Sequence, residues 1–392
     1  MRRKTVLLVL LILSIISLIS LRIYQHYQKK SVVIEIEQPN VEEIIIDKTE
    51  ESEPPKPYEE VLLSQMTPEE KVGQLFIFGI EGNKSLNPQN KQFLIDTKPG
   101  GVILFSKNIT NEKQLKNLIA EIQSTNPTIP LFISIDQEGG VVSRLKWNET
   151  LTKPQGNISS PEEAYQIAKS RGEILRGLGI NMNLAPVAEF SNSTTSFMYQ
   201  RTYRGDMEET VQKTISSVRG YKDTNVLAVL KHFPGHGETT TDPHKKLPSV
   251  NITKKQWDNY IRPFSQVIRE EDIDGIMVGH ILFPNIASLP ASISKEIITN
   301  RLVNDLGYQG LIISDDMEMR ALKNLNTPSN LARQSIESGM DMLMYIQYSN
   351  DDRYSQRVAY QSLLDAVKTK EINVDQKVLK ILETKIRYTI TP

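Results

Sequence analysis

Eight short runs of consecutive apolar residues punctuate the chain: Leu75–Gly79, Gly101–Phe105, Leu131–Asp136, Asn181–Pro186, Val226–Phe233, Gly275–His280, Gly310–Asp315 and Asp341–Ile346. They are nearly continuous rather than alternating in polarity and rich in β-branched residues, the pattern of parallel strands covered on both faces. Amphipathic stretches separate most of them, among them Glu112–Ser124, Glu208–Tyr221, Lys254–Arg269 and Asn330–Ser338. Thr67-Pro68-Glu69-Glu70 and Ser160-Pro161-Glu162-Glu163 each combine a capping hydroxyl, a proline suited to the first helical turn and an acid placed to reach back. Eight strand–helix units over roughly 330 residues match the count and size of a (β/α)8 barrel. The same alternation fits an open doubly wound sheet, which is the competing arrangement.

Ahead of the first start signal the pattern changes. Arg2, Arg3 and Lys4 precede an apolar run from Thr5 to Leu21, and Arg22, Ile23, Tyr24 and His26 follow with no small-x-small cleavage site. This predicts an uncleaved membrane anchor over residues 1–30 with the remainder outside the cell; a cleaved signal peptide would instead give a secreted protein. Residues 31–60, with Glu50, Glu51, Glu53, Pro54, Pro55 and Pro57 crowded together, read as an acidic tether. The barrel is expected over residues 61–392, as a monomer. A formal charge of −1 supplies no basic field for a phosphate backbone, which argues against a nucleic-acid partner. The absence of cysteine excludes disulfides, thiolate metal sites, cysteine nucleophiles and a lipid-modified N-terminal cysteine.

Polar residues fall where a barrel would use them. Five of the runs end in, or lead directly into, Asp136, Glu189, Lys231 with His232, His280, and Asp315, which a barrel would gather at the carboxyl ends of its strands. The densest segment is Lys231-His232-Phe233-Pro234-Gly235-His236-Gly237, followed by Glu238, Asp242, Pro243 and His244. His232 and His236 have the spacing of metal ligands on a helix, but Pro234-Gly235 forbids a helix, so no metal is expected. Pro243 biases Asp242 towards extended geometry, in which side chains two apart share a side. Asp242 can then hydrogen-bond the His244 ring and make it a proton shuttle, an unperturbed histidine titrating near pH ~6.5. An Asx-type turn with a solvated histidine fits the same tripeptide.

Asp315 and Asp316 are adjacent acids after a buried strand, and adjacent carboxylates point different ways. Asp315 is expected at the barrel mouth, with Asp316 binding backbone groups or capping the next helix; a plain capping role is open to Asp315 as well. In Asp136-Gln137-Glu138-Gly139-Gly140, followed by Arg144, the glycines permit close backbone approach and Asp136 can accept two sugar hydroxyls. Arg201 and Lys231 add donors. Such a mixture suits a polyhydroxylated ligand.

Together these blocks resemble glycoside hydrolase family 3, specifically its NagZ-type bacterial β-N-acetylglucosaminidases. Asp136–Arg144, Asn183–Val187, Arg201–Tyr203, Lys231–Gly237, Asp242 to His244, Pro290–Ser294 and Ser314–Met319 follow the family's order between residues 62 and 350. The resemblance implies a retaining, exo-acting hydrolase that removes terminal β-linked N-acetylglucosamine from cell-wall fragments such as those of peptidoglycan, without a cofactor. Asp315 would form a glycosyl-enzyme, and His244, held by Asp242, would replace the second carboxylic acid that most retaining glycosidases use. Asp136, Arg144, Arg201, Lys231 and His232 would bind the sugar hydroxyls, with His280 and Arg320 as further candidates. Pro243 stands where serine is usual and Glu189 where aspartate is common. The sequence ends soon after the eighth unit, so a histidine on a loop is expected to do what a second domain does in many family 3 β-glucosidases. A neutral base repels anions less than a carboxylate, which keeps a phosphorylase open. A non-catalytic carbohydrate-binding surface protein and a metal-dependent barrel hydrolase compete with both of these enzymes.

Overall fold

Each apolar run becomes a parallel strand because its side chains are buried on both faces. The computed structural model describes residues 57–390 apart from 81, 83, 347–352 and 389. The predicted anchor and nearly all of the tether lie outside the described residues; among those described, no helix is long and apolar enough to cross a membrane. Helix is present among the described residues before residue 61: Tyr58–Gln65 is helical, and its Leu62 and Leu63 pack against the core.

In chain order the strands are β1 (Phe76–Gly79), β2 (Gly101–Leu104), β3 (Phe132–Ile135), β4 (Gln137–Gly139), β5 (Val142–Ser143), β6 (Met182–Asn183), β7 (Leu227–Ala228), β8 (Leu230–Phe233), β9 (Gly275–Val278), β10 (Leu311–Asp316) and β11 (Met342–Tyr345). β4 and β5 form a separate antiparallel hairpin. The others make one sheet in which every pairing is parallel, in the order β7-β6-β3-β2-β1-β11-β10-β9-β8. The single run predicted over Val226–Phe233 is therefore two strands broken at Val229. Its first half pairs with β6 and its second with β9, so one continuous segment joins the two ends of the sheet and nearly closes the barrel. An open doubly wound sheet would have left those ends apart.

Both start signals supply the expected capping hydroxyl, but only the first closes the full box, Glu163 accepting from Ser159 rather than from Ser160 N. Thr67 accepts a bond from Glu70 N while Glu70 reaches back to Thr67 N, and Ser160 accepts from Glu163 N. The stretch Lys254–Arg269 is not one helix: it runs as short turns over Lys254–Gln256 and Trp257–Tyr260 and restarts at Arg262–Glu270. Pro263 lacks the N–H that a helix interior needs, so it sits in a first turn instead. Nothing in the polarity pattern announces the β4–β5 hairpin, which follows β3 directly. Its turn needs Gly139 and Gly140 at φ +94° and +61°, and a Cβ on Gly139 would stand 2.1 Å from Lys153 O. The Arg171 guanidinium ties the hairpin down by donating to the carbonyls of Glu138, Thr150 and Lys153.

At the amino ends of the strands, Lys385 is buried with its Nζ 2.7 Å from Gln74 Oε1 and over the Phe132 ring. Burial pushes this ammonium down to about 7. The unfolded chain keeps the proton to about pH 10.4, so between these values it binds more protons than the folded state, and stability rises with pH. We expect Lys385→Met to flatten that rise and to stabilise the protein at pH 6 by on the order of 4 kcal/mol. Thermal denaturation of both proteins across pH 6–10 checks this; parallel curves would contradict it.

Candidate active site

Asp136 follows β3, Lys231 and His232 lie in β8, and Asp315 lies in β10, so strand ends deliver four of the predicted residues to one rim. The hairpin supplies Glu138 and its following loop Arg144, the turn Tyr199–Arg201 supplies Arg201, and the loop after β8 supplies His244. All of these line one narrow cavity of about 120 Å³, which Asp242 supports from behind His244.

One flank of the cavity is a chain of opposed charges. Lys231 Nζ stands 2.7 Å from Asp136 Oδ1 and 2.6 Å from Glu138 Oε1, and Arg144 Nη2 donates to Asp136 Oδ2 at 2.9 Å. Arg201 grips Glu138 with two bonds of 2.9 and 2.7 Å. Burial would raise both carboxyls, but Lys231 and Arg144 hold Asp136 well below the usual carboxylate range. Arg201 and Lys231 do the same for Glu138. Both acids are thus anionic, and the lone pairs of Asp136 left free by Lys231 and Arg144 can accept hydroxyls. Glu138 was not among the expected site residues; its two-residue spacing from Asp136 was the available signal.

Behind this layer, Glu189 accepts from four N–H groups of two histidines. His232 gives its backbone N–H at 3.2 Å and Nδ1–H at 2.8 Å; His236 gives N–H at 2.5 Å and Nδ1–H at 3.0 Å. Arg201 donates to His232 Nε2 at 3.3 Å, which fixes the proton on Nδ1. Burial dominates and keeps the His232 imidazole below its ordinary value, hence neutral. Contrary to the expectation from their spacing, His232 and His236 do come together: the Pro234-Gly235 turn brings the rings to 5.1 Å without a helix. Among the described residues, Glu189, His232 and His236 have donor atoms within 4.8 Å of one another, a set of two imidazoles and one carboxylate that would suit a divalent cation. In the structure both Nδ1 atoms are spent on Glu189, while His236 Nε2 is buried without a hydrogen-bond partner.

Asp315 is 6% exposed, and Asp316 N donates to its Oδ1 at 2.8 Å. Burial would raise the Asp315 carboxyl, but His232, His280 and that N–H outweigh it and leave it below its ordinary value. Asp316 is the opposite case. Its Oδ1 accepts from Glu318 N and Ile346 N, its Oδ2 has no partner, and burial followed by the nearby Glu318 pushes it well above the usual range. The adjacent acids are therefore split, one ionised at the cavity and one neutral behind it.

His280, a further candidate by the resemblance, does not line the cavity. It is fully buried, accepts from Ser292 Oγ at 2.7 Å on Nδ1 and donates from Nε2 to Asp316 O at 2.8 Å. It thereby fixes the residue whose N–H holds Asp315. Arg320 does not line the cavity either: it lines a neighbouring groove.

Asp242 and His244 meet, though not through an extended segment. Asp242 Oδ1 accepts from His244 N at 2.9 Å and from Nδ1 at 3.0 Å, and Asp242 O accepts from Lys245 N and Lys246 N. This is an Asx-type turn, and it orients the ring as well as the backbone. Nε2 of the half-exposed ring is left for the cavity.

Residues 67–384 match the family model described as the glycosyl hydrolase family 3 N terminal domain. Beta-hexosaminidase A of Pseudoalteromonas piscicida is 31% identical over 322 residues, which covers 74% of this chain and 53% of that protein. A beta-hexosaminidase of Nitrosospira multiformis is 31% identical over 279 residues, covering 68% of this chain and 79% of the relative. A glycoside hydrolase family 3 beta-N-acetylglucosaminidase from Paenibacillus sp. superposes with a TM-score of 0.77 at 33% identity, over 83% of this chain and 63% of that one. The chain thus spans only about half the length of the Pseudoalteromonas protein.

Proposed function

This chain belongs to glycosyl hydrolase family 3, and we propose that it acts as a retaining exo-β-N-acetylglucosaminidase with Asp315 as nucleophile and His244 as acid and base. The observation that carries this reading is that an ionised, buried Asp315 from β10 and the imidazole of His244 from the loop after β8 line the same cavity. The activities named for the relatives supply the N-acetylhexosamine. Asp136, Arg144, Lys231, Arg201 and His232 hold its hydroxyls.

In the first step an Asp315 oxygen bonds to the anomeric carbon while the glycosidic bond breaks, its electron pair going to the leaving oxygen. His244 Nε2 delivers a proton to that oxygen, and the Asp242 carboxylate on Nδ1 stabilises the imidazolium that precedes transfer. In the second step neutral His244 takes a proton from water, the water oxygen bonds to the anomeric carbon and the Asp315 ester breaks. Two displacements retain configuration. A cell-wall glycan as substrate, an extracellular catalytic domain behind an anchor at residues 1–30, a tether to about residue 60 and a monomeric state complete the proposal; intact mass and sedimentation of the full chain test the last three.

The primary test is turnover of an aryl β-N-acetylglucosaminide, with free N-acetylglucosamine as product. Turnover of the aryl β-glucoside alone would overturn the reading. Phosphorolysis is the second reading, supported by the uncharged imidazole in place of a second carboxylate; accumulation of sugar phosphate in phosphate buffer would select it. Because the Nδ1 atoms of His232 and His236 are both taken up by Glu189, full activity is expected after dialysis against a strong chelator. Loss of activity restored by a divalent cation would make that trio a catalytic metal site instead.

A further inference from the structure

From residue 234 to residue 248 the chain forms neither helix nor strand, so no ladder of backbone bonds fixes the loop that carries His244. Individual contacts do this instead. At the base of the loop Glu189 holds His236, and Tyr260 donates to Gly235 O at 2.7 Å. At its tip Pro243 O accepts from Ala321 N at 3.2 Å. Between them, residues 237–239 are fastened to the loop after β6, and Glu238 makes most of that join. Its Oε2 accepts from Ser191 Oγ at 3.3 Å and from Ser193 N at 3.1 Å, and its Oε1 accepts from Asn192 N at 3.2 Å. On either side of it, Ser196 Oγ donates to Gly237 O at 2.9 Å and Phe197 N donates to Thr239 O at 3.0 Å.

The partner loop belongs to the wall that holds the sugar. It carries Phe197 and Arg201, which both line the cavity, with the Arg201 guanidinium 5.8 Å from the centre of the Phe197 ring. Glu238 thus joins two structures with different tasks, one gripping the substrate and the other presenting the imidazole. A carboxylate suits this join, because a charged acceptor strengthens each bond and the successive N–H groups of Asn192 and Ser193 form a small concave donor pair. Glu238 and Asn192 are exposed, so water can take over the bonds when the side chain is removed, and the core is untouched. What changes is the freedom of the loop. A reacting group misplaced by about 1 Å can cost on the order of 10²-fold in rate. We propose that Glu238 is a positioning residue for the acid and base: by clamping the loop after β8 to the loop after β6, it sets His244 at a fixed distance from the sugar held by Arg201 and its neighbours. The inference rests on the reading of His244 above and adds the side chain through which the two loops act together.

The experiment compares two β-N-acetylglucosaminides, one with a sugar and one with dinitrophenol as leaving group, and uses the full chain throughout. Glu238→Ala is expected to lose roughly tenfold in kcat/KM on the sugar-linked substrate, through kcat and with KM within about twofold of wild type. On the dinitrophenyl substrate, whose leaving group needs no proton, kcat/KM should fall less than about twofold. Glu238→Gln keeps one acceptor oxygen for Ser191 Oγ and Ser193 N and should recover to within about threefold of wild type on the sugar-linked substrate. Its smaller loss must show the same dependence on the leaving group, which keeps the test open if the alanine variant folds poorly. In a His244→Ala background, Glu238→Ala should cost less than about twofold further, because a residue that acts through the imidazole then has nothing left to position. Equal losses on the two substrates, no loss on the sugar-linked one, or an undiminished further loss in the double variant overturns the clamp. Failure of the wild type to cleave either substrate would instead bring down the assignment of activity on which it rests.

Discussion

Asp315→Asn is expected to lower kcat on an aryl β-N-acetylglucosaminide by on the order of 10⁴-fold or more, because an uncharged amide cannot form the glycosyl ester. The neighbouring substitution should behave in the opposite way. Asp316 is held neutral by burial and by Glu318, and its Oδ1 accepts from two backbone N–H groups. An amide oxygen keeps both bonds, so Asp316→Asn should retain kcat within about tenfold of wild type. It should also stabilise the protein at neutral pH. In the unfolded chain Asp316 ionises above about pH 3.9 while the folded state keeps the proton, so wild-type stability falls as pH rises past that value and the variant escapes the loss. Kinetics of both variants, with melting curves at pH 3.5 and 7, decide the matter. Comparable losses of activity in the two would mean that the acids work as one unit.

The second large effect concerns His244. For a leaving group that must be protonated, such as a sugar hydroxyl, His244→Ala should cost roughly 10³-fold in kcat/KM; for an acidic phenol the first step should lose no more than about tenfold. Hydrolysis of the ester then becomes slow, so the variant should release a burst of phenol followed by a slow steady state. Azide needs no general base and should restore turnover as the glycosyl azide. Asp242→Asn should produce a weaker form of the same pattern, since it leaves an oxygen for His244 N but removes the charge that favours the imidazolium. A loss in His244→Ala that does not depend on the leaving group would reduce the residue to a structural part of the turn.

Much of this site is legible in one dimension because barrel chemistry collects at strand ends. Asp136 and Asp315 terminate apolar runs, Lys231 and His232 lie near the end of another, and the cavity gathers all four. The residues that stay hidden depend on contacts between distant segments. Glu138 matters only once the hairpin after β3 folds back and Arg201, 63 residues later, closes on it. Glu189 stands out as an odd acid, but not as the shared acceptor of His232 and His236, because a turn rather than a helix brings those rings together. His280 ends its run as Asp136 and Asp315 do, and only its bonds to Ser292 and the Asp316 carbonyl reveal that both ring nitrogens are occupied away from the cavity. The break in the fifth run at Val229 is equally hidden. Its immediate neighbours Ala228 and Leu230 are both apolar, and the change of pairing partner from β6 to β9 leaves no mark in polarity at the break.

Catalysis as proposed turns on a covalent bond between Asp315 and the anomeric carbon. Reaction of the full chain with a fluorinated N-acetylglucosaminyl donor that forms the ester faster than it hydrolyses, followed by digestion and mass spectrometry, locates that bond. The expected product is one sugar per chain, attached to Asp315 and released over time as enzyme activity recovers. A sugar attached instead to Asp136, Glu138 or Asp316, or steady turnover of substrate with inversion at the anomeric carbon, would contradict it.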